Sequence, residues 1–163
     1  DVVNAYYWSR EFLANNGFHQ YEISSFARMG KESRHNTTYW ERKPYRGFGL
    51  GACSFDGTSR LQNEKNLMKY LESIEQERYQ PVSSEIITKD QVYIENIMLG
   101  LRRTKGVCWE EISNNLSNEQ QQKINLTINM LQEQKLIVEN NGHLQLTPAG
   151  LIVENEIITR LSL

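Results

Sequence analysis

The residues best suited to chemistry stand together in the stretch SRHNTTYW, which runs from Ser33 to Trp40. Its imidazole, His35, can donate a lone pair to iron while the second ring nitrogen fixes the tautomer. Tyr39 and Trp40 carry apolar rings that gain free energy when they are covered, so a solvated loop is an unusual place for both. The stretch predicts either a ligand site or a polar loop with two aromatic side chains packed beneath it.

Positive charge accompanies these rings. From Arg28 to Arg46, six Lys or Arg residues stand against two Glu residues, in a chain whose formal net charge is −2. Guanidinium groups pair with carboxylates in a two-pronged geometry, and Tyr45 adds another flat surface. The pattern suits a planar anion, and a porphyrin with its propionates fits as well as a nucleotide. Arg28, Arg34 and Arg46 are the candidates to pair with a propionate.

Other sites built from this chain are not indicated. His19 and His143 have no Cys, Asp or His at metal-site spacing, and Cys53 and Cys108 form no C-x-x-C pair, so the sequence does not favour a zinc site. The glycine-rich run GFGLG lacks the spacing of a phosphate-binding loop. For His35 itself, the alternative to metal ligation is a structural, hydrogen-bonded histidine.

The composition is that of an ordinary globular chain. Its 163 residues, 39% of them hydrophobic, suffice for one domain or two small ones. No run approaches the roughly 18 apolar residues that cross a membrane, and the net charge predicts no general attraction to nucleic acid or anionic lipid. Two cysteines indicate a reducing compartment, hence a cytoplasmic setting. The chain opens DVVNAYYW without an initiator Met, which we interpret as a piece of a longer protein.

The first half mixes helical and extended patterns. Hydrophobic periodicity and turn residues predict a helix over 2–16, a strand over 18–24, a structureless loop over 25–40, a buried strand over 45–55, a helix over 63–78 and a linker over 79–85. Glycines in the second strand indicate that another backbone or a ligand approaches it closely. A ligand-binding loop between two strands is therefore expected.

The second half has clearer signals. Thr88 with Gln91 resembles a capping box, and Ser117 can cap a third helix. A short helix is expected over 108–112, Asn141-Gly142 predicts a hairpin, and Pro148 opens the last helix. Three helices, a hairpin and a closing helix form a winged-helix pattern. From Glu85 onward, seven Lys or Arg stand against ten Asp or Glu, which disfavours binding to DNA phosphates.

Four blocks resemble one family in the same order: YEISSFARMGKESRHNTTYW, YRGFGLGACSF, RLQNEKNLMKYL and MLGLRRTKGV. The family is the oxygen-independent coproporphyrinogen III oxidase-like radical SAM proteins, and the HN-x-x-YW pattern resembles its haem chaperone (HemW) branch. The resemblance covers nearly the whole chain. It implies a haem-binding motif at His35, Asn36, Tyr39 and Trp40, with His35 as the metal ligand.

The resemblance also implies a second cofactor region. Gly51, Ala52 and Cys53 match a late barrel strand whose residues face S-adenosylmethionine in the family. Relatives commonly have histidine where this chain has Cys53, so a role of that histidine is in doubt here or passes to the thiol, itself a possible haem ligand.

The family fold implies an α+β chain in two parts. Residues 1–80 would form the end of a partial (β/α) barrel with the HN-x-x-YW loop, and residues 85–163 a winged-helix-like domain. The family's C-x-x-x-C-x-x-C motif, which holds a 4Fe-4S cluster next to S-adenosylmethionine, is not in this sequence. The missing N-terminal barrel portion is therefore an expected partner, and radical chemistry is not expected of this chain alone.

Three functions follow for the parent protein. A haem-trafficking protein would bind finished haem through His35 and pass it on. A coproporphyrinogen III oxidase would decarboxylate propionate side chains in porphyrin biosynthesis. A docking module would use the winged helix to bind a partner and would leave the His35 stretch without a ligand. The HN-x-x-YW pattern favours the first.

Overall fold

The chain has an α+β fold, with eight helices and eight strands in the part that the computed structural model describes, residues 1–78 and 80–162. The first half contains α1 (Val2–Asn15), β1 (His19–Glu22), β2 (Ser25–Ala27), α2 (Arg34–Trp40), β3 (Cys53–Phe55), β4 (Ser59–Gln62), α3 (Leu67–Glu75) and β5 (Ser83–Ile86). The second half contains α4 (Lys89–Leu101), β6 (Val107–Cys108), α5 (Trp109–Ser113), α6 (Asn118–Glu133), β7 (Ile137–Asn140), β8 (His143–Leu146), α7 (Pro148–Ile152) and α8 (Glu154–Arg160).

The strands form three small antiparallel sheets. β1 pairs with β2, β3 and β5 flank β4, and β6 and β7 flank β8. Asn141 and Gly142 connect β7 to β8 with φ angles of 49° and 75°. Positive φ at both positions suits the two-residue turn for which Asn-Gly is favoured. The predicted hairpin is therefore confirmed.

Side-chain caps set the starts of the main helices as predicted. Thr88 and Ser117 each accept a hydrogen bond from a backbone N–H three residues on, and the glutamine there reaches back to the cap. Both capping boxes are thus complete. Thr147 caps α7, and the predicted closing helix is divided at Val153 into α7 and α8.

The main apolar core lies in the second half. It joins α4, α6, α8 and the third sheet through Tyr93, Ile97, Leu101, Val107, Ile124, Ile128, Leu131, Ile137, Leu144, Ile157 and Leu161. The predicted inward face of α6 is confirmed. Tyr93 donates a hydrogen bond to the carbonyl oxygen of Leu161 at 2.8 Å, and burial raises the pKa of Tyr93 to about 12. This core provides a rigid base for α4, which contacts the first half.

Three local predictions in the first half are wrong. The stretch 25–40 is not structureless but contains β2 and α2, which are too short for a hydrophobic period to register. The strand expected over 45–55 is limited to β3. Tyr45 forms an antiparallel bridge with Phe55, and the residues between Tyr45 and β3 form a loop. The expected linker contains β5, whose backbone pairs with β4; Tyr79 of that linker lies outside the described residues.

One predicted apolar helix face is uncovered. In α3, Leu67, Met68, Leu71 and Ile74 are 54%, 72%, 45% and 46% exposed. The periodicity is helical as predicted, but nothing in the described chain packs over this face. Among the described residues, no helix combines the length and apolar character needed to cross a bilayer.

A charged cluster joins the two halves. Arg102 lies 3.4 Å from the carboxylate of Glu22, which is buried, and Ile23 donates a backbone hydrogen bond to the Arg102 carbonyl. Burial would raise the pKa of Glu22, but hydrogen bonds from Ser25 and Ser24 and the charge of Arg102 lower it overall. The junction is therefore held by an ionised carboxylate.

Glu154, near the same junction, has the opposite balance. Burial raises the pKa of Glu154, the positive charge of Arg102 lowers it, and the negative charge of Glu22 raises it further. One carboxylate oxygen of Glu154 is buried without a hydrogen-bond partner in the described structure. A carboxyl whose pKa is higher in the folded state destabilises the fold once pH rises above its unfolded pKa.

We therefore expect Glu154→Gln to raise the thermal midpoint at pH 7, by an amount corresponding to about 0.5 kcal/mol. The gain should disappear below about pH 4, where the wild-type carboxyl is protonated in both states. Glu156→Gln, whose side chain in the same helix is 66% exposed, is the matched control and should change little. A lower midpoint for Glu154→Gln at pH 7 would contradict the assignment.

Candidate functional site

α2 carries the stretch singled out in the sequence, and side-chain and backbone hydrogen bonds define both its ends. The Ser33 hydroxyl accepts from the backbone N–H of Asn36 at 3.2 Å. At the other end, Arg42 donates a backbone hydrogen bond to Tyr39 and Lys43 to Thr38. That pair of bonds forms a Schellman motif, in which the residue after the cap adopts a left-handed conformation.

Arg42 occupies that left-handed position with φ 47°. Most helices place glycine there, because a Cβ makes the conformation unfavourable by about 1 kcal/mol or more. Its guanidinium compensates through fixed contacts: Nε donates to Glu95 at 2.8 Å, and the group lies over the Phe55 ring at 5.1 Å. Arg60 donates to the other oxygen of Glu95 at 2.7 Å. Glu95, on α4, therefore connects the end of α2 to β4.

Burial would raise the pKa of Glu95, but hydrogen bonds from Arg60 and Arg42 and their positive charges lower it overall. The side chains of Arg42 and Glu95 are only 12% and 14% exposed. An ionised carboxylate between two guanidinium groups is thus the stable state of this contact.

His35 lies on the exposed side of α2. Its ring meets the Tyr39 ring edge-on at 4.9 Å, and Tyr39 meets Tyr45 at 4.5 Å. Neither ring nitrogen of His35 has a hydrogen-bond partner among the residues that the structure describes. The imidazole is held by ring packing and can offer a nitrogen to an incoming ligand.

The other two residues of the predicted motif lie elsewhere on α2. Trp40 packs against Tyr21 of β1, with ring centroids 5.9 Å apart. Asn36 is half-buried in the first turn. The structure therefore brings His35 and Tyr39 together, and uses Trp40 to attach the helix to the first sheet.

The predicted cofactor residues Gly51, Ala52 and Cys53 lie at the start of the β3–β4 hairpin. Ala52 accepts a backbone hydrogen bond from Asn63 at 2.9 Å, and the Cys53 thiol accepts one from Gln62 at 3.4 Å. In the described ranges, no group of three or more His, Cys, Asp or Glu could hold a metal ion.

A cavity of about 540 Å³ lies on the other side of α2. It is lined by Tyr21, Gly30, Glu32, Arg34, Thr37, Thr38, Glu41, Lys43, Arg103, Thr104 and Lys105. Four lining side chains are cationic and two are anionic. The sequence did not single out Arg103 and Lys105 as site residues, because only the fold brings the end of α4 to α2.

Backbone pairing fixes that approach. Thr104 donates a backbone hydrogen bond to Tyr21, and Arg103 forms a bridge with Glu22. Glu41 then pairs with Lys43 at 2.5 Å and with Arg103 at 2.9 Å. The hydrogen bond from Lys43 lowers the pKa of Glu41 despite partial burial, with further lowering from Arg103.

The three arginines predicted to pair with a propionate have different surroundings. Arg34 lines the large cavity. Arg28 lies over the Phe18 ring at 5.3 Å, and Arg46 lines a separate cavity of about 320 Å³ beside Tyr45. Only Arg34 of the three adjoins the other cationic side chains.

Comparisons with known proteins agree with this architecture. Residues 87–153 match the family model described as the HemN C-terminal domain. The chain is 33% identical to the heme chaperone HemW of Bacillus subtilis (strain 168) over 141 residues, which are 86% of this chain and 37% of that protein. It is 30% identical to the heme chaperone HemW of Lactococcus lactis over 161 residues, 99% of this chain and 42% of that protein.

A solved structure shares the fold. Coproporphyrinogen III oxidase (HemN) from Escherichia coli, a radical SAM enzyme, superposes with a TM-score of 0.70 at 17% identity, over 94% of this chain and 39% of that chain. This chain therefore spans less than half the length of the relatives that it matches.

Proposed function

Since this chain is a C-terminal portion of the HemN and HemW family of radical SAM proteins, we propose that it forms the haem-binding part of a haem-trafficking protein, with His35 as the iron ligand. The observation that carries the proposal is the exposed imidazole of His35, held edge-on by Tyr39 with both ring nitrogens free of partners among the described residues. The names of the relatives, heme chaperones, supply the ligand class.

The local chemistry supports this ligand. Haem iron accepts a neutral imidazole nitrogen as an axial ligand. Tyr39 and Tyr45 add an apolar surface beside the imidazole, which favours a flat apolar ring over a hydrated metal ion. His35 donates the nitrogen, Tyr39 limits the rotation of the imidazole, and Arg42 with Glu95 holds the end of the helix that carries both.

The rest of the family's machinery belongs to the whole protein in this proposal. The parent would hold a 4Fe-4S cluster and S-adenosylmethionine on an N-terminal barrel portion, with residues 1–80 completing the barrel and residues 85–163 forming the winged-helix-like domain. Gly51, Ala52 and Cys53 would face the S-adenosylmethionine region. The exposed face of α3 and the exposed stacked pair Trp8 and Phe12 on α1 support a covering partner for the first half.

A haem titration tests the proposal. Wild-type chain should give a Soret band characteristic of imidazole ligation, and His35→Ala should lose that band, because the variant lacks the nitrogen that binds the iron. His19→Ala is the matched control, since His19 is also exposed but lies on β1. Absorption and resonance Raman spectra in one buffer are the measurement.

Cys53→Ala tests the second candidate iron ligand, the Cys53 thiolate. The imidazole spectrum should persist in this variant, whereas thiolate ligation would be lost from it. An unchanged spectrum in His35→Ala would show that the histidine is structural and would sink the proposal. Circular dichroism of each variant verifies that the fold is retained.

A further inference from the structure

We infer that the cationic cavity beside α2 receives the propionate carboxylates of the tetrapyrrole, with Arg34 and Lys105 as the pairing side chains. This inference rests on the proposed function, because it takes the ring to be carried by His35. It assigns a role in binding the ligand to the turn between α4 and β6. It also selects one of the three arginines that the sequence left open.

The charges in the cavity are unbalanced without a ligand. Glu41 already pairs with Lys43 and Arg103. The side chains of Arg34 and Lys105 have no ion pair or hydrogen bond in the described part of the chain. Four cationic and two anionic side chains line the cavity, so two positive charges are left over. Two ionised propionates match that excess.

Gathering these cations has an energetic cost that a ligand would offset. The whole chain has a formal net charge of −2, yet the fold places cations from two distant segments around one cavity. Like charges held close together destabilise a folded protein unless counter-charges approach them. Such a local conflict is typical of functional sites.

The cavity is within reach of a ring on His35. Thr38, which lines the cavity, follows His35 by three residues in α2, and side chains at that spacing are neighbours with Cβ atoms about 5–6 Å apart. A ring bound at His35 would extend past Thr38 to reach the edge of the cavity. The cavity volume of about 540 Å³ lies in the range of about 300–1,000 Å³ that is usual for ligand pockets.

The lining also offers neutral hydrogen-bond donors. The Tyr21 hydroxyl accepts a bond from the backbone N–H of Ser33, which leaves its own proton free to donate. Carboxylate oxygens accept several such bonds at once. Arg28 and Arg46 lack this setting, because each lines no part of the cavity.

Haem and haem dimethyl ester are the probes that test the inference. The ester retains the iron and the ring but has no carboxylate charge. Arg34→Ala and Lys105→Ala should each weaken haem binding by about fivefold at low salt, the upper end for one exposed ion pair, and should leave the affinity for the ester unchanged. Arg28→Ala and Arg46→Ala are matched controls and should bind both probes as the wild type does.

The outcomes separate this inference from the proposed function. If His35-dependent ligation is present but Arg34→Ala and Lys105→Ala weaken the binding of haem no more than the binding of the ester, the carboxylates bind elsewhere and the inference alone is wrong. If inorganic phosphate competes with haem no better than chloride does at equal ionic strength, the cavity does not bind free oxyanions specifically, which supports binding of the propionates. Specific competition by phosphate, with equal affinity for haem and ester, would instead make the cavity a site for a free oxyanion. Absence of His35-dependent ligation in the wild type would overturn both proposals.

Discussion

Replacing Glu95 by glutamine should lower the free energy of unfolding by about 2 kcal/mol, less than for a fully buried ion pair because Arg60 is 38% exposed. Arg42 and Arg60 donate to different oxygens of Glu95, at 2.8 Å and 2.7 Å, and the glutamine amide replaces one of these acceptors by a donor. Arg42, which is 12% exposed, and the more exposed Arg60 then lose their counter-charge. Arg42 also loses the contact that anchors its guanidinium, so the end of α2 is no longer tied to α4 by an ion pair.

The pH dependence provides a second readout of Glu95. Because its folded-state pKa is below the unfolded value, Glu95 contributes stability that is present above the unfolded pKa and is lost as pH falls through the folded pKa. The difference between wild type and Glu95→Gln in urea unfolding should therefore be large at pH 7 and shrink in acid. Glu75→Gln, at the exposed end of α3, is the control and should stay within about 0.5 kcal/mol of wild type. An equally small change at Glu95 would contradict the role given to this contact.

Replacing Gly106 by alanine should lower the free energy of unfolding by about 3 kcal/mol, through backbone strain and overpacking. Gly106 has φ 73°, where an alanine is strained by about 1–2 kcal/mol. The added Cβ would also lie 2.0 Å from the Leu144 carbonyl oxygen, and relieving such overpacking typically adds about 1–3 kcal/mol. The clash is with backbone of β8, so the sheet that covers the core must shift.

Gly142→Ala separates the backbone strain from the clash of the added Cβ. Gly142 has φ 75°, but a Cβ there would meet nothing within 4 Å. It should lose only the strain of about 1–2 kcal/mol, and the difference from Gly106→Ala in denaturant unfolding measures the clash. Equal losses in the two variants would mean that β8 accommodates the methyl group without cost. Because Gly106 follows Lys105, the variant should also weaken haem binding if that turn positions the cavity.

Local signals in the sequence were sufficient for the second half. Thr88, Ser117 and the pair Asn141-Gly142 act through hydrogen bonds or φ angles within a few residues, so their effects can be read without knowing the tertiary structure. Hydrophobic spacing likewise identified the buried face of α6. These features make the α+β class predictable.

The first half was less predictable because tertiary contacts determine it. α2 has only seven residues, and its C-terminal end has Arg42 where local preference calls for glycine. The ion pair to Glu95 anchors that end of the helix, and nothing near Arg42 in the sequence indicates it. β5 similarly depends on pairing with β4, which a linker-like sequence did not reveal.

The candidate site was predictable only in part for the same reason. His35 and Tyr39 are one helical turn apart, so their contact follows as soon as the stretch is helical. Arg103 and Lys105 reach the cavity through the bridge from Arg103 to Glu22, which connects segments far apart in the chain. A cation cluster assembled in this way leaves no compact pattern in the sequence.

The contact between Arg42 and Glu95 also orders events during synthesis on the ribosome. The two residues are 53 positions apart, and at about 5–20 residues per second the ribosome adds Glu95 about 3–11 s after Arg42. During that interval the nascent chain contains the complete HNTTYW sequence but lacks the carboxylate that fixes the end of its helix. A chain released before Glu95 is added would therefore carry the histidine on a helix whose end is not yet tied to α4.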